Sequence, residues 1–114
     1  MPYIAQSDRT GLDGLINELA QKIVEQANIA DPSGTNPAAY AGLLNYTCTR
    51  LAMQVIKLKF GKMRYWIIAT TSGVFHNIAD EFYRRMGIPY EDAQIKKSGD
   101  VDLYAEFAEA IKAS

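Results

Sequence analysis

The chain has 114 residues, with twelve basic and thirteen acidic side chains, a formal charge of −1 and a sequence pI near 5.8. A chain of this length is expected to form one domain, residues 1–114, that buries roughly two thirds of its unfolded surface without a metal or disulfide staple. Balanced charge without a block of one sign is a poor footprint for duplex nucleic acid, despite local clusters at Lys57, Lys59, Lys62 and Arg64 and at Arg84 and Arg85, so no duplex partner is expected; the single Cys48 excludes an internal disulfide, so a reducing compartment, the cytoplasm, is expected.

The N-terminal MPYIAQSDRTG has neither the basic start nor the apolar run of a secretion signal, and no apolar run reaches the ~20 residues of a membrane helix, so no membrane contact is expected. Met1 to Gln6 reads as extended. Thr10 with Asp13 resembles a capping box, and Leu12, Leu15, Ile16, Leu19 and Ile23 recur at helical spacing, which predicts a first helix over about 12–26. From Asn28 to Gly42 turn formers concentrate around Pro32 and Pro37, so a loop is expected there, long enough to be functional or mobile. A second helix is predicted over about 43–60, with Leu44, Cys48, Leu51, Val55 and Leu58 inward and Gly61 as its stop. Asn45, Tyr46, Thr47 and Thr49 fall in its expected first turns, where such side chains can satisfy free backbone amides.

The long central helix follows. Ile68, Phe75, Ile78, Phe82 and Met86 form its apolar stripe, with Thr70, Asn77, Asp80 and Arg84 as a polar row on the other side. Gly73 predicts a close crossing or a kink, and Gly87 with Pro89 predicts the helix end. Tyr90 to Lys97 reads as a short helix or turn ended by Ser98-Gly99, and Asp100 or Asp102 caps a last helix over 103–113. The fold expected is therefore all-α, a small bundle of about four helices.

Most candidate chemistry has an ordinary structural explanation. His76 and Asp80 share the spacing of a helical metal pair but lack converging ligands, so no metal or other cofactor is expected. Cys48 reads as a small apolar residue rather than a nucleophile. Asp80-Glu81 stand four residues before Arg84-Arg85, the favourable order for intrahelical ion pairs, while a guanidinium left over could hold an anion or a partner. Adjacent residues of a helix point about 100° apart, so the two arginines divide the roles. Arg85 is expected to tie the helix end to Glu91 or Asp92, leaving Arg84 for an anion or partner contact.

Four blocks carry a resemblance: Met1-Pro2-Tyr3-Ile4 with Gln6 and Arg9; Leu44-Asn45-Tyr46 with Thr49-Arg50-Leu51; Glu81-Phe82-Tyr83-Arg84-Arg85 leading to Pro89-Tyr90-Glu91-Asp92; and Lys96 or Lys97 before Gly99-Asp100-Val101. They make the chain resemble a family of small, largely uncharacterised tailed-bacteriophage proteins, the third block being the specific one. Two features depart from that pattern, the 28–42 loop and the helical tail after Val101. The resemblance implies a helical fold and a phage origin, hence a host cytoplasm. The polar residues in its matched blocks, Asn45, Arg84, Arg85, Tyr90, Glu91 and Asp100, are site candidates; taken with the polar row and the arginine geometry, Arg84, Asn77, Asn45 and Tyr90 are the expected ligand or partner residues, and Arg85, Glu91, Asp92 and Asp100 the expected structural ties. The expected function is non-enzymatic: a self-associating interaction protein that docks on a host or phage protein. One alternative is a sponge for an anionic signalling nucleotide held by Arg84 and Arg85. A second is a helical enzyme of the nucleotide pyrophosphohydrolase kind, for which Glu18, Glu25 and Glu81 are sparse.

Overall fold

The computed structural model describes residues 2–114, so Met1 of the first block lies outside the described residues. The fold is all-α: helices α1 (Gln6–Ala30), α2 (Ala39–Phe60), α3 (Tyr65–Phe82), α4 (Ile88–Ser98) and α5 (Asp102–Ala113), with a π-helical turn, Tyr83–Gly87, joining α3 to α4 without a break. The expected four helical runs are therefore present, the central one being the composite of α3, the π turn and α4. No strand occurs among the described residues, and no helix is long and apolar enough to cross a membrane. Where one domain was expected, the chain separates into two compact units, one reaching Gly73 and the other Val74–Ser114.

In the first unit, α1 begins six residues earlier than its periodicity suggests and continues to Ala30. Thr10 and Asp13 therefore lie inside the helix rather than capping it: the Thr10 hydroxyl donates to the carbonyl of Gln6 at 3.0 Å. Arg9 Nε donates to the Ile4 carbonyl at 2.9 Å, tying the extended start to the first turn. The connection to α2 shrinks from the expected 28–42 to residues 31–38, because the helices consume both of its ends. Asp31 organises what remains. One carboxylate oxygen accepts from Ser33 and Thr35 at 3.3 and 3.4 Å, and the other accepts the Asn36 amide at 2.9 Å. This Asx-type turn explains an ordered short connection in a segment rich in Pro and Gly.

α2 and α1 pack against each other as a hairpin. Because α2 starts at Ala39, Thr47 and Thr49 sit in its interior. Their hydroxyls donate back to the Leu43 and Asn45 carbonyls at 2.7 Å each instead of satisfying first-turn amides. Gly61 stops the helix as expected: its φ of 71° is left-handed, and its N–H donates to the Lys57 carbonyl at 2.9 Å. Ile56 and Ile67, 8% and 3% exposed, are the only buried apolar residues described, and Phe60 meets Trp66 edge-on with ring centroids 5.2 Å apart. Contrary to expectation, the stripe of Leu44, Cys48, Leu51, Val55 and Leu58 is exposed. The less exposed residues of α2 are Ala39, Leu43, Thr47, Ala52 and Ile56, none of them in that stripe. Nothing lies within 4 Å of where a Cβ on Gly73 of α3 would stand, so the close crossing expected there is not made.

The second unit is organised by the π turn. Gly87 was expected to be a left-handed cap, but its φ and ψ are −70° and −48°, ordinary helical values. The chain passes through because the turn is widened: Ile88 N–H donates to the Tyr83 carbonyl, five residues back. Pro89 then falls at the second position of α4, directly after the widened turn, so the backbone N–H that proline lacks is missing at the junction rather than in the interior of either α-helix. Gly99 ends α4 with φ 86° and an N–H donated to Ile95 at 2.8 Å.

Candidate functional site

Gly87 is a matter of space rather than of backbone freedom. A Cβ on it would lie 2.5 Å from Tyr83 Cδ2 and 2.6 Å from Cε2, so the glycine lets the Tyr83 ring lie flat across the π turn. From there the phenol reaches the next helix and donates to Glu91 Oε1. That hydrogen bond, with a smaller contribution from desolvation and the carboxylate charge, holds the Tyr83 phenol above its ordinary pKa of 10.0. The pair forms one wall of an open groove of about 590 Å³, whose other walls include Gln94, Ser98, Asp100 and Tyr104. Asp100 Oδ1 accepts the Val101 amide at 2.7 Å, shaping the turn between α4 and α5. Residues of the third and fourth sequence blocks, neighbours along the chain, thus line the same groove. Its charge comes from two carboxylates, Glu91 and Asp100, and no basic residue is among its lining.

The arginines divide their roles opposite to expectation. Arg84 is the one already engaged: its Nη2 lies 2.6 Å and its Nε 2.8 Å from Glu81 Oε1, three residues back on the same helix. Glu81 is only 19% exposed in its side chain and Arg84 61%, so a largely covered carboxylate captures an exposed guanidinium. Arg85 makes no ion pair among the described residues, and the expected tie to Glu91 or Asp92 is absent because Tyr83 takes Glu91. The π turn is the cause. An extra residue in the turn rotates the positions after it by about a quarter turn relative to an α-helix, which displaces the carboxylates from Arg85.

The other candidates are dispersed. Asn77 and Tyr90 are exposed in the second unit, Asp92 is exposed beside Glu91, and none of the three lines the groove. Asn45 belongs to the first unit, where with Ala41, Gly42, Tyr46 and Thr49 it lines a shallow depression of about 510 Å³. Tyr83 was missed as a site residue.

These features define a small all-α protein with a polar groove in its second unit and unusually exposed apolar helix faces in both. Residues 1–101 match the family described as a domain of unknown function, DUF6899, and the chain belongs to that family. The match ends at Val101, so α5 lies just beyond the family's span. No curated protein and no solved structure matches the chain.

Proposed function

We propose that this chain is a non-enzymatic binding protein of the tailed-phage type, acting in the host cytoplasm, which self-associates and docks on a host or phage protein. The observation that carries the reading is the state of its apolar stripes. α1 is 25 residues long and α5 twelve, and neither has a buried side chain; Leu15, Leu58 and Phe107 are 68%, 78% and 65% exposed. Each large apolar side chain left in water forgoes about 1.5–3 kcal/mol relative to full burial, so stripes of this length favour protein partners strongly. α5 supplies the docking element of this reading: Leu103, Phe107 and Ile111 share one helical face, with Asp102, Glu106 and Glu109 alongside. The nucleotide alternative has less support, since Arg84 is paired with Glu81 and carboxylates supply the groove's charge.

Light scattering of the purified chain at micromolar concentration tests self-association. The expected mass is a multiple of 12.7 kDa; a monomer alone refutes it. Affinity capture from infected-host lysate, repeated with Phe107→Glu, tests docking: a captured protein that the variant retains in full is not held by α5.

A further inference from the structure

Charge is sorted by helix within the first unit. α1 carries four acids, Asp8, Asp13, Glu18 and Glu25, against Arg9 and Lys22, whereas α2 carries Arg50, Lys57 and Lys59 and no acid at all. The two helices form a hairpin whose apolar stripes, Leu12, Leu15 and Leu19 on α1 and Leu44, Leu51 and Leu58 on α2, are uncovered.

We propose, resting on the self-association reading above, that the occupant of this face is the same hairpin of a second copy. The two hairpins close a four-helix bundle in which each α1 lies between its own α2 and the partner copy's α2. Two hairpins can stack in two orders. The mirrored order sets α1 beside α1 and α2 beside α2, acid against acid and base against base. The alternating order sets α1 beside α2 on all four edges, so every edge joins a net-negative helix to a net-positive one. Like charges brought together oppose association and opposite charges favour it, so the sorted charge selects the alternating order. Position agrees with sign. Counted from the loop, Asp13 lies nearly as far back along α1 as Lys57 lies along α2, so antiparallel helices bring them level. At 100° per residue, Asp13 and Glu18 flank the α1 stripe on opposite sides, and Lys57 and Lys59 do the same on α2. A charge therefore borders each seam whichever neighbour it faces.

The test is sedimentation or light scattering across a dilution series, with circular dichroism as a check on helix content. Asp13→Lys with Glu18→Lys should weaken assembly about tenfold or more, because it turns the inter-copy edges from attractive to repulsive. Lys57→Glu with Lys59→Glu should do the same, and mixing the two variant chains should restore assembly. If either double variant assembles like wild type, as the mirrored order requires, or if mixing fails to restore assembly, the proposal is overturned. Should charge reversal cost helicity, Leu58→Glu is the second probe: it should give a folded monomer, and unchanged mass would count against the hairpin face. Phe107→Glu on α5 should leave the mass unchanged, and dissociation there would move the interface elsewhere. A monomeric wild type sinks self-association itself; an assembled wild type indifferent to these variants sinks only this interface.

Discussion

Gly87→Ala isolates the packing that builds the groove. Within a helix, at φ −70°, alanine is ordinarily preferred over glycine by about 1 kcal/mol, so a reading of the backbone alone predicts stabilisation. The new methyl, however, would lie 2.5 Å from Tyr83 Cδ2 and 3.1 Å from Cγ, closer than nonbonded carbons approach. Because Cγ is itself involved, rotating the ring about its own axis does not clear the clash; the side chain must leave its staggered position or the turn must open. Displacement of that kind costs about 0.5–1.5 kcal/mol, enough to cancel the alanine preference, and it separates the phenol from Glu91. The expected result for Gly87→Ala is thus no gain, or a loss of up to about 1 kcal/mol. In a Tyr83→Ala background the same substitution should recover a gain of up to about 1 kcal/mol. Urea unfolding of the four proteins in this cycle measures the coupling. Equal stabilisation by Gly87→Ala with and without the tyrosine would show that ring and glycine do not share space, and the account of the π turn would fail.

Three further outcomes follow from the same geometry. Spectrophotometric titration, with Tyr83→Phe as the difference standard, should show Tyr83 ionising above 10.0, and Glu91→Gln should bring it back down. Since the shift is upward, the Tyr83 contribution to stability is present below pH 10.0 and is lost as pH rises through the higher folded-state value; a Tyr83 that ionises at or below its ordinary value contradicts the hydrogen bond. Arg84→Ala should cost about 0.2–0.5 kcal/mol, as an exposed i,i+3 pair does, and Arg85→Ala less, so a larger loss at Arg85 in thermal melts would return to it the structural role expected from sequence. Gly61→Ala should destabilise by about 1–2 kcal/mol through its left-handed φ of 71° alone, since nothing lies within 4 Å of the added methyl; unchanged stability would mean that the helix end rearranges freely.

Local chemistry made much of this protein legible from its residues. Spacing of apolar side chains at 3.6 per turn identified the helices, and Gly61 and Gly99 marked two ends because a positive φ belongs to glycine. A stripe, however, states what a helix gains by burying and not what covers it. Leu44, Cys48, Leu51, Val55 and Leu58 were therefore placed inward, whereas the chain alone leaves them in water. Gly87 followed by Pro89 looks like a stop in any one-dimensional reading, because their usual conformations end helices. Only the three-dimensional path shows the glycine making room for Tyr83 and the proline falling at the junction after the widened turn. That one inserted residue also changes the angular register of everything after it, which is why Glu91 turns to Tyr83 rather than to Arg85, whereas Arg84 meets Glu81 by ordinary i,i+3 spacing. Helix identity follows from neighbours three and four positions away along the chain. The groove and the absence of an Arg85 tie to Glu91 or Asp92 depend on the register carried across the turn, which pairwise spacing does not record.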